Sequence, residues 1–559
     1  MLMKKKKDLI VCGNLTNEER IKRESNFLRG TIKKDLINQI TNGFTGDNYS
    51  LIRFHGMYQQ DDRDIRKLRI AQKLEPKHAM MLRCRLPGGL LTSEQFLKII
   101  AFSEKYTIYK TIRLTNRQTF QIHGIYKKDL KKIHKMLSSL SLDSIGTAND
   151  VNRNVLCTSN PMRSELHNEV YNWAVKISKH LLPKTKAYAE IWLDKKKIYG
   201  LDEEPILGKT YLPRKFKTAI IIPPENDVDM NANDMVFIAI HKNNKLIGFN
   251  LLLGGGLSIE HGNKLTWPAC AQEFGFFSVE QTLIIAETVI AIQRDWGNRT
   301  NRKNAKLRYT IARVGYKIFK KEIEIRSGIV LKNIKNYNIT SRGDRFGWLR
   351  GLDNIWSYTI FIKNGRICDN EAQQLKTALI KIANVYNGIF RITANQNLII
   401  SNIDSQKKKK IQNIIDKYNL CNSISKIRSN SMACVSLPTC PLAMAEAERV
   451  LPDYIINIEE ILLKYNMFKE NISFRISGCP NGCGRSLLSE IGLIGRSLGR
   501  YNLYIGGNNI GTRIAKIYCE NISKEKILNK IDSLIALWSK KRQKNEFFGD
   551  FVIRLGLVK

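Results

Sequence analysis

Four thiols stand in two close pairs near the end of the chain: Cys434 with Cys440, and Cys479 with Cys483 in the run Gly478-Cys479-Pro480-Asn481-Gly482-Cys483. Thiolates are soft ligands, and four of them supply the corners of one metal centre. Zinc ribbons favour pairs two to four residues apart, and the five residues between Cys434 and Cys440 fit an iron–sulfur cluster better. Pro438, Pro441, Pro480, Gly478, Gly482 and Gly484 let the backbone curl close to inorganic sulfide and aim amide hydrogens at it. The competing reading is four buried free thiols, which cores commonly hold, and the density of turn residues weighs against it. The remaining cysteines, at 12, 84, 157, 270, 368, 421 and 519, read as core residues. Eleven cysteines with no export signal indicate a reducing compartment rather than a disulfide framework.

A second group of residues suits an anion. Arg83 and Arg85 flank Cys84 ahead of Pro87-Gly88-Gly89, followed by Arg113, Arg117, Arg153, Arg214, Lys215 and Lys217. Taken singly, each is as readily a solvated surface cation; together they suit a multiply anionic ligand. Lys215-Phe216-Lys217 places both ammonium groups on one side of a strand, because side chains alternate with period two.

The elements that must position these groups are duplicated. Arg113-Leu114-Thr115-Asn116-Arg117-Gln118-Thr119-Phe120 recurs as Arg391-Ile392-Thr393-Ala394-Asn395-Gln396-Asn397-Leu398, which we read as a repeated strand. Each copy follows a strand-like run (80–86; 358–363) and a helix-like stretch (93–102; 371–383), so each half reads strand, helix, strand, and two halves can share one sheet. The repeat continues from Asn154–Pro161 to Asn430–Pro438 and from Phe249–Gly255 to Tyr501–Gly507. The first copy offers Arg153, Lys215 and Lys217 where the second offers cysteines. One half reads as an anion site, the other as a metal site.

A length of 559 residues implies roughly three or four domains. The 43% hydrophobic and 25% charged content belongs to a folded, soluble chain rather than a disordered or fibrous one. The basic opening Met1–Lys7 lacks a signal-peptide core behind it, and apolar windows such as 282–292 are interrupted by charge, so no membrane association and a cytoplasmic location are expected. A net charge of +40 invites a nucleic-acid reading. Its lysine runs (4–7, 195–197, 407–410, 540–541) lie in a chain also crowded with Ile and Asn, which is a compositional bias, and no nucleic-acid partner is expected. Gly254-Gly255-Gly256 lacks the dinucleotide-binding spacing and no P-loop appears. Electrons must come from a docking partner carrying flavin and nicotinamide, or from a ferredoxin.

Thr439-Cys440-Pro441, the Cys479–Cys483 run and the duplicated Arg-x-Thr-x-x-Gln segment together resemble the sirohaem-dependent sulfite and nitrite reductases. The stretches 54–63, 212–217 and 293–299 extend the likeness along the whole chain. The resemblance implies an α/β (α+β) fold of three domains around the cofactors, with an internal duplication and a pseudo-twofold axis. It implies an N-terminal interaction arm and linker (1–79), paired ferredoxin-like repeats (80–145 with 346–421), a sirohaem and substrate domain (146–345) and a cluster domain (422–559). By that likeness Cys434, Cys440, Cys479 and Cys483 hold a [4Fe-4S] cluster, and Cys483 also ligates the sirohaem iron. Arg113, Arg117 and Arg214 are candidates to pair with the eight sirohaem carboxylates. Arg83, Arg153, Lys215 and Lys217 occupy the family's anion-site positions. The implied reaction is six-electron reduction of sulfite to sulfide in cysteine biosynthesis, with NADPH, FAD and FMN held by a flavoprotein alpha subunit. Assimilatory nitrite reduction is the nearer rival, and a zinc-stabilised nucleic-acid-binding protein the distant one. Cys270 stands where relatives more often carry Ala, Ser or Thr, and the chain stops slightly early, after Lys559.

Overall fold

Four five-stranded sheets, two of each kind, build the chain in a computed structural model that describes residues 11, 13–159, 165–184, 191–193, 196–199, 204–420 and 424–558. The lysine run at 4–7, Cys12 and Cys421 lie outside the described residues.

The first pair of sheets is antiparallel. One runs Met57–Asp61, His78–Arg83, Phe120–Ile125, Ile112–Leu114, Arg366–Ile367. The other runs Gly347–Arg350, Trp356–Ile360, Leu398–Ile403, Ile389–Ile392, Leu90–Thr92. The repeats therefore do not share one sheet, as the sequence reading allowed; each builds its own and receives one short edge strand from the other half. Gly89 and Gly365 make this exchange possible. Both have positive φ, and an added Cβ would lie 2.2 Å from the Ile392 carbonyl oxygen at one and 2.3 Å from that of Leu114 at the other. Helices Ser93–Tyr106 and Leu375–Val385 lie at matching places over this pair, and one apolar core runs through both halves. Thr92 starts the first of these helices with a capping box to Gln95.

The repeated motif is a hairpin turn rather than the strand expected. Ile112–Leu114 ends at Thr115, whose amide donates to the Thr119 carbonyl at 2.8 Å, and Gln118 takes a left-handed φ of 51°. The second copy turns the same way, with Thr393 donating to Asn397 at 3.0 Å and Gln396 at φ 70°. Threonine hydroxyls accept the amides of Arg117 and Asn395 two residues on, so local hydrogen bonds compete with strand pairing at this point. The strand-like run at 80–86 likewise ends at Arg83, and the helix expected at 371–383 begins only at Leu375.

The second pair of sheets is mixed, with the same order and directions in both. Leu156–Cys157, Thr218–Ile221 and Met235–Lys242 are parallel, followed by antiparallel Lys245–Leu253 and Gln272–Ser278. Met432–Ala433, Phe474–Ser477 and Ile491–Ser497 are parallel, followed by antiparallel Arg500–Ile505 and Lys516–Ser523. Thr218–Ile221 and Phe474–Ser477 are buried at every position, as central parallel strands must be. Helices Glu165–His180, Thr282–Trp296 and Tyr316–Ser327 cover the first sheet, and Leu451–Lys464 and Lys524–Lys541 the second. The long apolar window around 282–292 is thus a core helix, burying Ile285, Val289, Ile292 and Trp296 at helical spacing. Among the described residues no helix is long and apolar enough to cross a membrane.

Candidate functional site

Cys434 directly follows the strand Met432–Ala433, and Cys479 follows Phe474–Ser477 after one glycine, so both project beyond the carboxyl ends of neighbouring parallel strands. The Gly478 amide donates to the Cys434 sulfur at 3.2 Å, and the Asn481 side-chain amide to the Cys479 sulfur at 3.5 Å. Gly478 admits no side chain: a Cβ there would lie 1.8 Å from Ser436 Oγ and 2.6 Å from the Ala445 carbonyl oxygen. Cys440 is held by its amide, which donates to Ser436 O at 2.9 Å.

All four thiols are free, and each lies in the electrostatic field of the others. Burial first, and then neighbouring Cys483, push the Cys440 thiol up to about 12 and that of Cys434 well above its ordinary value. Four such groups become thiolates together only when a cationic centre offsets their mutual repulsion. Among the described residues no three His, Cys, Asp or Glu side chains gather at the spacing of one ion's ligands. Four thiols supply the ligand chemistry of a multi-iron cluster. Cys84 and Cys157 are buried core residues as expected, whereas Cys270, Cys368 and Cys519 are only half-buried.

Cys483 is the exposed member of the four, and the cations converge on it. Arg83, Lys215 and Lys217 all lie within electrostatic reach of it, and Arg153 and Arg214 stand beside Lys215. Here the two mixed sheets present opposite ends: the cysteines follow their strands, while Arg153, Lys215 and Lys217 precede theirs. Phe216 points into the core and makes an isolated bridge to Asn152, so Lys215 and Lys217 leave the opposite side of the chain, although the strand itself begins only at Thr218.

Backbone carbonyls hold three of these cations. Arg153 donates to Asn149 O at 3.1 Å and Lys217 Nζ to Ala232 O at 3.0 Å; Arg83 Nη1 reaches Thr147 O at 3.3 Å. Arg117 donates to Asn233 Oδ1 at 2.6 Å and to the Asn154 carbonyl. Arg113 instead turns to the cluster side, pairing with Glu448 at 2.8 Å and donating to the Ala433 carbonyl at 2.9 Å.

The site is strongly positive and half-buried. Burial, reinforced by Arg214, lowers the Lys215 pKa to about 8, and burial together with Lys215 holds Lys217 well below its ordinary value. Burial and neighbouring Arg302 bring Arg214 to about 10. The buried Nε atoms of Arg117 and Arg214 have no hydrogen-bond partner. Buried cations in such excess need anions, and these two guanidinium groups have donors to spare for carboxylates. The residues present therefore fit a polycarboxylate macrocycle beside a cluster.

Sequence reasoning missed three contributors. Lys306 lies buried beside Lys215, Arg214 and Lys217, donating to Ser258 Oγ; no motif announced it. Tyr58 meets the field of Arg153, Arg83 and Lys215, which outweighs burial and lowers its pKa; it lies in the 54–63 stretch, without a role read for it. Arg485, two residues after Cys483, donates to the Asn116 carbonyl, and the Asn116 amide donates to the Cys483 carbonyl. Arg485 also joins Arg342 and Arg475 around buried Asp229, whose carboxyl those three cations hold far below the usual range despite burial.

Duplicated ferredoxin-like sheets, twin mixed sheets, and a four-thiol site opening on a cation-lined pocket define a redox enzyme acting on a small anion. Residues 72–140 and 350–418 match the nitrite/sulfite reductase ferredoxin-like half domain, and residues 172–331 the nitrite and sulphite reductase 4Fe-4S domain. The chain belongs to the nitrite and sulfite reductase family. It is 63% identical, over all of its length and 98% of the relative's, to the sulfite reductase [NADPH] hemoprotein beta-component of Buchnera aphidicola subsp. Acyrthosiphon pisum. To the protein of that name in Escherichia coli it is 59% identical, over 99% of this chain and 97% of the other. The solved structure of Mycobacterium tuberculosis NirA protein superposes with a TM-score of 0.79 at 23% identity, covering 97% of each chain, which shows the shared fold.

Proposed function

We propose that this chain is the haemoprotein subunit of an assimilatory sulfite reductase, catalysing six-electron reduction of sulfite to sulfide for cysteine biosynthesis. The observation that carries this is the convergence of Arg83, Arg153, Lys215 and Lys217 on the exposed edge of a four-thiol site at Cys483. Near-full-length likeness to proteins named for that activity supports it.

Cys434, Cys440, Cys479 and Cys483 would hold a [4Fe-4S] cluster, with Cys483 also a ligand of sirohaem iron. Arg113, Arg117 and Arg214 would pair with sirohaem carboxylates; Arg117 and Arg214 have the free donors, while Arg113 is shared with Glu448. When bound, the two groups supply electrons to the substrate's sulfur. Arg83 and Arg153 hold the anion's oxygens by charge-assisted hydrogen bonds. Lys215 and Lys217 add attraction, and their lowered pKa values make the Nζ ammonium groups effective proton donors to oxygens leaving as water. Backbone anchors at Thr147, Asn149 and Ala232 hold three of these side chains before the anion arrives, so little reorganisation is needed on binding.

The interaction arm expected at 1–79 is cut back to end before Met57, because Met57–Asp61 and His78–Arg83 are strands of the first ferredoxin-like sheet; 80–145 with 346–421 act as the paired repeats, 146–345 as the substrate half and 422–559 as the cluster half. The partner is a flavoprotein alpha subunit carrying NADPH, FAD and FMN, and the location is cytoplasmic. Purified protein, made where sirohaem is synthesised, is expected to show a reduced-porphyrin visible spectrum, high-spin ferric haem and four non-haem irons per chain by electron paramagnetic resonance and iron assay. Colourless protein with one zinc would overturn the assignment. A far higher kcat/KM for nitrite than for sulfite would move it to nitrite reduction.

A further inference from the structure

Beside Arg83, a row of buried polar side chains crosses the first ferredoxin-like sheet. Arg83 and Gln121 are cross-strand partners, His123 lies two residues beyond Gln121 on the same face, and Gln60 comes from the neighbouring edge strand. Gln60, Gln121 and His123 are 7%, 5% and 1% exposed, so their polar atoms must find partners among themselves. One orientation of the Gln121 amide satisfies both its neighbours: its carbonyl accepts from Arg83 Nη2 at 2.6 Å and Nε at 3.3 Å. Its amide nitrogen then faces His123 Nε2 at 3.4 Å, which must be the imidazole's lone pair. The ring proton consequently sits on Nδ1 and donates to Gln60 Oε1 at 3.0 Å.

We propose that His123, fixed as the Nδ1–H tautomer by Gln60, is a positioning residue that orients the Gln121 amide and so aims the Arg83 guanidinium at the substrate anion. This rests on the reading of Arg83 as an anion-holding group. Burial, with Arg366, Arg113 and Arg83 around it, holds the His123 pKa well below its ordinary value and keeps the ring neutral. An imidazolium would present N–H groups to both glutamines, drawing the Gln121 carbonyl away from Arg83. Among the described residues the Arg83 guanidinium has one other hydrogen bond, a long one to Thr147 O, and its charge lies 5.8 Å from the Tyr58 ring centre. Gln121 is the contact that sets its direction.

The test uses the holoenzyme with sulfite, reading kcat, KM and, by calorimetry on the resting enzyme, the sulfite dissociation constant. Arg83→Ala checks the underlying reading: an unchanged sulfite KM and dissociation constant would remove Arg83 from the anion site, and the proposal with it. His123→Asn keeps the Gln60 contact but is too short to reach Gln121, and is expected to raise KM and the dissociation constant roughly five- to tenfold with kcat changed far less. His123→Gln reaches Gln121 with an accepting oxygen and is expected to restore both constants. A merely structural histidine predicts that both variants lose thermal stability and kcat together with KM unmoved. That result, or Asn and Gln behaving alike while Arg83→Ala weakens binding, overturns the proposal.

Discussion

At the scale of single residues, the pocket depends on keeping cations charged where water is scarce. Lys215, brought to about 8 by burial and Arg214, is charged at neutral pH but close to losing its proton. Sulfite affinity is therefore expected to weaken as pH rises through about 8, and Lys215→Arg to move that limb upward while slowing turnover, because guanidinium binds anions but is a poor proton donor. Steady-state KM and kcat measured from pH 6 to 10 check both parts; a KM limb unmoved in Lys215→Arg would take Lys215 out of the titration. The four cysteines and Lys215-Phe216-Lys217 were legible as candidates because their chemistry is carried by residue type and spacing. Lys306 was not, because one lysine among so many carries no signal until the fold buries it.

At the scale of elements, the cysteine loops work only where the backbone can pass close to its neighbours. Gly478→Ala would drive a Cβ into Ser436 Oγ and the Ala445 carbonyl, and is expected to cost at least about 2 kcal/mol and to lower the iron content of purified protein. Denaturant melts and iron assays read the two effects separately. The closing helix Phe548–Arg554 docks on buried Glu490, which accepts from the Gly549 amide at 3.1 Å and the Ser473 amide at 2.9 Å. Burial raises this carboxyl from 4.5 to about 7. A raised folded pKa favours the protonated form, so its contribution to stability is full below about 4.5 and is lost as pH rises through about 7, on the order of 3 kcal/mol. Glu490→Gln is expected to flatten the fall in stability between pH 5 and 8, measured by denaturant melts across that range. The turn in the Arg-x-Thr-x-x-Gln repeat was misread as strand because its left-handed glutamines leave no mark in the sequence, while the threonine hydroxyl bonds that stabilise it do so only once the chain has turned.

At the scale of the molecule, the two mixed sheets are joined through Asp229. It comes from the cation-bearing half and receives Arg342 from the connecting strand and Arg475 and Arg485 from the cluster half. Asp229→Asn would leave three buried guanidinium groups around a neutral amide, and a loss of about 3–5 kcal/mol is expected. Because Arg485 braces Asn116 and through it the Cys483 carbonyl, the same variant is expected to perturb the cluster's electron paramagnetic resonance signal. Unchanged melts together with an unchanged signal would show that the junction is held elsewhere.

The sequence by itself determined the ligand chemistry, the duplication and the family, because thiols in close pairs, alternating lysines and a repeated motif are local patterns that survive without coordinates. Only the tertiary structure decided that the cation half and the thiol half meet at Cys483, with the carboxyl ends of one sheet's strands facing the amino ends of the other's. It also decided that each repeat lends a strand to the other's sheet, and which cations are withdrawn from solvent. Those outcomes depend on contacts between residues hundreds of positions apart, such as Arg113 with Glu448 and Asp229 with Arg485, where burial rather than residue type sets charge, direction and pKa.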